Sequence, residues 1–318
     1  MSKKLIVMGD PHFRKVEPFF SAQKESVNWF IKQDFNNEEN YYVNLGDVFD
    51  SSSPNPDAID LAIDFNNKLK FKEKNYLVGS HDYNRLKNSY SPTPLGRDKN
   101  TEIFYEPAII NIKNLKCLIL PFIYDKTFLD KSMKEYYENL PEKYSNQEYD
   151  FIFHHVQDSS IKFNAEDDSG INLDYLKGKR IGGHIHHRRK GYLGTPLINR
   201  FDEKGKDSFI LIIDLETKEE EYIEVPKFMD YETIDYEIDC PDPCIRIFDI
   251  INAPSRAAAE EKFKGLFLRN IELKKTLEES KEVVEEQSAS SIKDHFINFC
   301  NKQKVSKSLK NKLNAYIN

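Results

Sequence analysis

The sequence predicts an α/β protein, and three observations lead to that class. Short apolar runs of strand length alternate with stretches whose apolar residues recur at helical spacing. Most of these runs end in glycine or in a polar cluster, as buried strands do. Hydrophobic residues make up 39% of the 318 residues, with 22 Phe and 17 Tyr, which is enough apolar material for a sizeable core.

The first strands are predicted at residues 5–8, 41–45 and 76–78, with helices between them at 25–33 and 57–69. The second helix follows the run SSSPNP, which is typical of a loop that leads into a helix start. Further strands follow closely, and the last two flank a short turn, as in a β-hairpin. These later strands are predicted at 108–112, 116–120, 149–153, 209–213 and 221–225.

The composition changes after residue 229. An acidic stretch and the break CPDPC at 240–244 precede a strand, a helix and a further strand, predicted at 245–251, 257–266 and from 271 onward. A polar linker then leads to a tail whose apolar residues predict a short two-helix hairpin. We therefore expect three parts, at residues 1–228, 229–280 and 281–318.

Composition also bounds the cellular context. No run approaches the ~20 apolar residues of a membrane span, and the apolar stretch near the N-terminus is too short for a signal peptide. Four cysteines in a chain of this length do not form a disulfide framework. We expect a cytoplasmic protein with no membrane partner. The net charge of −7 argues against nucleic acid only if charge is evenly spread.

Acidic and imidazole side chains follow the predicted strand ends, and this is the most informative feature of the sequence. The segments are DPH at 10–12, GDVFD at 46–50, GSHD at 79–82, HH at 154–155 and GHIHH at 183–187, and they hold seven of the eight histidines. Ligands bind at the carboxyl ends of strands in α/β sheets. Carboxylates together with neutral imidazoles suit Mn²⁺, Fe²⁺ or Zn²⁺ better than Ca²⁺ or Mg²⁺.

This ordered set resembles the calcineurin-like metallophosphoesterases, whose blocks run D-x-H, G-D-x-x-D, G-N-H-[DE], H and G-H-x-H. The resemblance spans about residues 5–190. It implies a four-layer α/β/β/α sandwich with two mixed sheets, followed here by a small α/β capping domain and a C-terminal helical segment. It also implies a pair of cations, expected to be two Mn²⁺, with Mg²⁺, Fe²⁺ or Zn²⁺ as alternatives.

Carried over by position, the resemblance implies a role for each motif residue. Asp10, His12 and His186 would hold one cation, and Asp47 would bridge both. The second cation would take His154, His184 and Ser80. His81 would stabilise the transition state or act as a general acid, with Asp82 orienting it. In that arrangement the two cations share a hydroxide that attacks phosphorus in line.

Two positions need separate treatment. The family has Asn where this chain has Ser80, and a hydroxyl is shorter and a weaker oxygen donor than an amide. We therefore expect a looser second cation site, which the substitution Ser80→Asn would tighten. His154 and His155 compete for one ligand position because side chains alternate along an extended segment. The position at which the family's strand ends favours His154.

The downstream sequence resembles one branch of this superfamily, the SbcD-type DNA-repair nuclease subunits, including those of phage recombination complexes. A Gly-Thr-Pro at 194–196 follows the last motif, and a Glu-Lys-Gly at 203–205 precedes a strand. That branch implies DNA as substrate, a homodimer, and an SbcC-type coiled-coil ATPase bound through the tail. His187, Arg188, Arg189 and Lys190 would contact phosphate.

Local charge is compatible with DNA. Nine Lys or Arg residues stand against three acidic residues between positions 171 and 206. A basic rim beside a two-cation site suits an extended polyanion, although a solvated basic face would look the same in the sequence. The expected function is a nuclease acting on DNA ends. The alternatives are a generic or nucleotide-directed metallophosphoesterase and a non-enzymatic assembly subunit with a weakened second site.

Overall fold

The structure, a computed structural model, describes residues 2–84, 89–123, 133–161, 170–199, 203, 205–238 and 246–274. The predicted break at 240–244 and the predicted helical tail lie outside the described residues. Two compact units are present. Among the described residues, one unit comprises the chain up to Glu232 together with 246–248, and the other comprises 233–238 and 249–274. The predicted domain limits at 228 and 280 remain predictions.

The first sheet is mixed and has six strands. The central strands run parallel, while the last hairpin adds two antiparallel strands to one edge. In spatial order the strands are β12 (Glu220–Val225), β11 (Ser208–Asp214), β1 (Lys4–Met8), β2 (Tyr41–Asn44), β3 (Glu73–Leu77) and β6 (Thr101–Phe104). The hairpin of β11 and β12 confirms the prediction from their short connecting turn.

The second sheet is also mixed and has four strands, three parallel and one antiparallel. In order they are β10 (Lys177–Gly182), β9 (Glu148–His154), β8 (Leu115–Leu120) and β7 (Ala108–Ile112). A small separate ribbon is formed by β4 (Tyr83–Asn84) and β5 (Ser89–Tyr90). The amide of Phe122, just after β8, donates to the carbonyl of Val78, just after β3, and so ties the two large sheets together.

Alternation along the strands builds three apolar layers. In β1, Leu5 and Val7 pack in the layer between the two sheets, whereas Ile6 and Met8 pack against helices. Leu118 and Ile152 lie in a third layer, on the outer face of the second sheet. Helices therefore cover both outer faces of two stacked sheets. The predicted α/β/β/α sandwich is confirmed.

The helices of the first unit are α1 (Phe19–Ile31), α2 (Pro56–Lys68), α3 (Met133–Glu138) and α4 (Glu142–Ser145), with a 3₁₀ turn at Thr93–Arg97. The start of α2 follows the predicted signal, because the side chain of Asn55 accepts a hydrogen bond from the amide of Asp57 and Pro56 occupies the first turn. Helix α1 begins six residues before its prediction, which placed its start at Glu25.

The C-terminal part of the described chain carries a three-stranded sheet, which begins in the stretch that the sequence marked only as acidic. Its order is β13 (Asp230–Asp235), β14 (Arg246–Ala253) and β15 (Phe267–Leu273), with helix α5 (Arg256–Lys262). Ser255 caps α5 by accepting a hydrogen bond from the amide of Ala258. Ala259 lies on the buried face of this helix. Among the described helices, none is long and apolar enough to span a bilayer.

Candidate metal centre

The loops after five parallel strands bring carboxylates and imidazoles together at one end of the two sheets. The first sheet contributes the segments after β1, β2 and β3, and the second sheet contributes those after β9 and β10. Three sets of side chains place their ligand atoms within 4.8 Å of one another: Asp10, His12 and His186; Asp47, His155 and His184; and His12, Asp50 and His81. The expected edge of the sheets is therefore where the polar residues meet.

The backbone is strained at three residues of these sets. His12, Asp47 and His184 have φ angles of 47°, 44° and 72°, in the left-handed region that only a few per cent of non-glycine residues adopt, Asn, Asp and His most often among them. Strain of this kind costs about 1–3 kcal/mol per residue and persists where the surrounding structure enforces it. All three residues were predicted as cation ligands, so the strained positions coincide with the candidate site.

Gly46 allows the loop after β2 of the first sheet to approach His155, which follows β9 of the second sheet. Its φ angle is +111°, and a Cβ atom at this position would lie 2.3 Å from Nδ1 of His155. Any side chain would therefore displace that imidazole as well as strain the backbone.

The first cluster consists of Asp10, His12 and His186. The Nε2 atoms of the two imidazoles are 3.0 Å apart. Two nitrogen ligands at about 2.1 Å from one ion and at right angles to each other have a spacing of about 3 Å. Asp10 Oδ2 accepts from the amide of His184 at 2.6 Å, whereas its Oδ1 is buried without a hydrogen-bond partner in the described part of the chain. The cluster therefore presents an unpaired carboxylate oxygen beside two imidazole nitrogens.

The second cluster consists of Asp47, His155 and His184. Asp47 Oδ2 lies 3.2 Å from Nε2 of His155 and 3.9 Å from Nε2 of His12. One carboxylate oxygen thus faces both clusters, which is the geometry required of a bridging ligand. Asp47 Oδ1 accepts from the amide of His81 at 2.7 Å, so the carboxylate is fixed by the neighbouring loop.

His155, and not the favoured His154, is the histidine that the structure brings to the second cluster. Phe153 faces the layer between the sheets, and His155 follows it with the same parity. His154 has the parity of Ile152 and lies on the other side, edge-on to the ring of Tyr192 at 5.2 Å between centroids. The expectation for His154 is therefore replaced by His155, because the alternation of side chains directs His155 toward the first sheet.

The tautomer of His155 is also suited to a ligand. Its Nδ1 atom lies 2.7 Å from the carbonyl oxygen of Leu45 and donates to it, so Nε2 is the nitrogen that a cation would bind in place of a proton. That Nε2 atom is buried and faces Oδ2 of Asp47 at 3.2 Å. Buried polar atoms are normally satisfied, and the unpaired Oδ1 of Asp10 belongs to the first cluster. The residues present therefore fit a pair of divalent cations.

Without a cation, the charge state of the clusters is set by the protonation of their histidines and carboxylates. Burial lowers the pKa of His12 well below its ordinary value and that of His184 to about 3, so both imidazoles are neutral. Burial also acts to lower the pKa of His155, but the charges of Asp47 and Asp10 outweigh it and raise the pKa to about 10. His155 therefore supplies positive charge beside Asp47, a role that bound cations would take over.

His81 lies beside the first cluster. Its ring is edge-on to that of His12, with 5.1 Å between centroids, and its Nδ1 lies 2.9 Å from the carbonyl oxygen of Asp50. That contact leaves Nε2 as the atom that can exchange a proton with a substrate. Asp82, which we expected to orient His81, instead accepts hydrogen bonds from the amides of Gly79, Val48 and Phe49. Its carboxylate holds two site loops together.

Ser80 sits against the bridging carboxylate. Its hydroxyl donates to Asp47 Oδ2 at 3.0 Å. The side chain that we expected to bind the second cation is therefore hydrogen-bonded to another ligand of that cation. This contact suits a supporting role for Ser80, and direct ligation of a cation by its hydroxyl remains a prediction.

The four expected phosphate contacts lie along one groove. His187, Arg188, Arg189 and Lys190 line a cavity of about 690 Å³ that also includes Lys179 and Arg180. The guanidinium of Arg188 stacks on the ring of Tyr222, 3.9 Å from its centroid. Lys179 pairs with Glu220, and Arg180 pairs with Asp158 and Asp174. Part of the basic count in the sequence is therefore neutralised by ion pairs.

Three residues of the site were not assigned a role from the sequence. Asp50 joins His12 and His81 in the third cluster, as the last residue of the GDVFD motif suggested. Gln23 on α1 is buried and donates to the carbonyl of His12 at 2.7 Å, so it supports the strained loop. Glu203 is buried against His186. No signal in the sequence distinguishes Gln23 from a surface residue, whereas Glu203 stands in the Glu-Lys-Gly segment noted above, although nothing in that segment shows that the fold buries it.

The fold and these clusters define a class of protein, the metal-dependent hydrolases that cleave phosphoesters. A sequence model of the calcineurin-like phosphoesterase family matches residues 3–188, more than half of the chain, and the chain belongs to that family. None of the curated proteins matches the sequence. Among solved structures, one of a novel archaeal phosphodiesterase is similar at 15% identity, with 70% of this chain and 99% of that chain covered and a TM-score of 0.36.

Proposed function

We propose that this protein is a phosphodiesterase that uses two Mn²⁺ ions to cleave DNA at or near its ends, as the nuclease subunit of an SbcCD-type complex. Divalent cations at the two clusters would stabilise charge on the phosphoryl oxygens and activate a water molecule. Asp47 presents one carboxylate oxygen to both clusters. His81 can protonate the departing oxygen through Nε2. This chemistry would be the same for any phosphoester substrate, so it does not by itself select DNA.

The observation that supports DNA as the substrate is the basic groove. Arg188, Arg189 and Lys190 follow the ligand His186 closely in sequence, are exposed, and make no ion pair within the described residues. Cations placed beside the scissile bond can contact phosphates beyond it, which a small substrate does not possess. The groove therefore favours an extended polyanion.

The ion pairs along the same groove favour a second candidate, a phosphodiesterase for nucleotides or other small diesters. Lys179 and Arg180 are already paired with carboxylates, at 2.6 Å and 2.8 Å. The cations of this groove that have no ion pair among the described residues therefore belong to one short loop. The dimer and the ATPase partner belong to the first candidate only. The segment that would bind the ATPase lies outside the described residues.

Digestion of end-labelled single- and double-stranded DNA with Mn²⁺ separates the candidates. We expect cleavage by the wild type and none by His81→Ala. A triple variant, Arg188→Gln, Arg189→Gln and Lys190→Gln, should weaken DNA cleavage at least tenfold near 150 mM salt and flatten its salt dependence, yet keep hydrolysis of a chromogenic diester.

The matched control changes three exposed cations beside the amino ends of β3 and β6, Lys70→Gln, Arg97→Gln and Lys99→Gln, with the same loss of charge. It should leave both activities unchanged. Rapid diester hydrolysis without any DNA cleavage, with or without an ATPase partner, would replace the first candidate by the second.

A further inference from the structure

Glu203 carries a buried carboxylate whose two oxygens are both engaged at the metal centre. Its side chain is 1% exposed. Oε1 pairs with Nδ1 of His186, and Oε2 accepts from the amide of Asn199 and from Nζ of Lys206, each at 2.8 Å. The carboxylate therefore connects a candidate cation ligand to a buried lysine.

Lys206 fixes the other side of this contact. Its side chain is 7% exposed, and besides Glu203 its Nζ donates to the carbonyl of His186 at 3.1 Å and to the hydroxyl of Thr195. A buried ion pair costs desolvation free energy, and stability alone would be served as well by apolar residues of similar volume. Because both residues of this pair contact the candidate ligand His186, the pair can also hold that side chain in place.

The contact determines which nitrogen of His186 can bind a cation. Because Nδ1 donates to Glu203, the lone pair lies on Nε2, the atom that is 3.0 Å from Nε2 of His12. In the second cluster the corresponding support is different, since Nδ1 of His155 donates to the neutral carbonyl of Leu45. A carboxylate makes the imidazole a more basic ligand than a neutral carbonyl does.

We propose that Glu203, balanced by Lys206, is a positioning residue that orients His186 and makes the cluster of Asp10, His12 and His186 the tighter of the two cation sites. The inference rests on the proposed two-cation function. It adds that the two sites differ in affinity and names the side chain responsible for the difference.

Calorimetric titration of the metal-free protein with Mn²⁺ tests this inference without substrate. The wild type should bind in two steps, and His12→Ala should remove the tighter one. Glu203→Gln should weaken the tighter step by about 10- to 100-fold and leave the weaker step unchanged. The matched control is Glu220→Gln, a mostly buried carboxylate that pairs with Lys179, and it should leave both steps unchanged.

Urea unfolding of the metal-free variants separates positioning from folding. Glu203→Gln leaves Lys206 buried without its counter-charge, so its urea midpoint should fall, but the variant should still unfold cooperatively and be folded under the conditions of the titration. If it does not fold, Glu203→Asp carries the test, because it keeps the charge but shortens the reach, and it should weaken the tighter step by a smaller factor. Unchanged tight binding in the folded variant would overturn the inference. A wild type that binds no Mn²⁺ would instead overturn the proposed function.

Discussion

The Nε2 atom of His155 lies 3.2 Å from Oδ2 of Asp47, and this contact joins the second sheet to the first. His154 and His155 are adjacent, equally buried and of the same type, so each is the matched control for the other. We expect His155→Ala to reduce the stoichiometry of Mn²⁺ binding from two to one. His154→Ala should keep two ions. Titration calorimetry decides, and the reverse outcome would restore His154 as the ligand.

Gly46 should tolerate no side chain. Alanine there would place Cβ 2.3 Å from Nδ1 of His155 at a φ angle of +111°. Gly265 has a φ of +90°, and a Cβ added there would meet no described atom within 4 Å, so Gly265→Ala carries only the backbone cost of about 1–2 kcal/mol. We expect Gly46→Ala to lose more stability in urea unfolding and to lose Mn²⁺ binding. Equal losses in both variants would contradict the steric argument.

Ser80 provides a test of the second cation site. Asparagine offers an amide oxygen with a longer reach, so Ser80→Asn should lower the Kd of the weaker Mn²⁺ step several-fold. The control Ser80→Ala removes the hydrogen bond to Asp47 without adding a ligand, and it should not tighten binding. Coincident binding curves for Ser80→Asn and the wild type would show that the residue at this position does not limit the site.

Lys74, which is buried, and Asp98, which is partly buried, form an ion pair at the opposite end of the first sheet. Burial acts to raise the pKa of Asp98, but Lys74 and the amide of Asn100 outweigh it and hold the pKa below its ordinary value. The stabilisation is therefore present above the unfolded-state pKa of about 4 and is lost as the pH falls through the lower folded value.

Asp98→Ala should accordingly cost about 2 kcal/mol at pH 7, between the values for surface and fully buried pairs, and much less at pH 2. Urea unfolding at both pH values measures this difference. The control Asp64→Ala breaks the exposed pair with Lys68 and should cost less than about 0.5 kcal/mol. A loss for Asp98→Ala that does not depend on pH would contradict the assignment to the ion pair.

The sequence located the residues of the candidate clusters wherever only the end of a strand had to be found. Asp10, Asp47 and His184 each follow a parallel strand, and parallel strands bring their carboxyl ends to one edge regardless of packing detail. The choice between His154 and His155 needed more, because both faces of β9 are apolar and the sequence does not say which face meets the other sheet. Only the position of Phe153 in the layer between the sheets resolves it.

The start of one strand and the whole of another escaped prediction for related reasons. Strand β3 begins with Glu-Lys-Asn, which is typical of a loop, although Lys74 and Asn75 are buried in the fold. Strand β13 lies in an acidic stretch whose alternation is weak, with Tyr231 and Ile234 as its buried residues. These strands are specified by their neighbours in the sheet, so local propensity could not reveal them.

The ligands of the candidate centre are divided between the sheets, with Asp10, His12 and Asp47 on the first and His155, His184 and His186 on the second. The apolar layer that separates the sheets is therefore also a spacer that sets the distance between two halves of a binding site. A substitution in this layer, such as Ile119→Val, would therefore act on the relative position of the two halves of the site as well as on the stability of the fold.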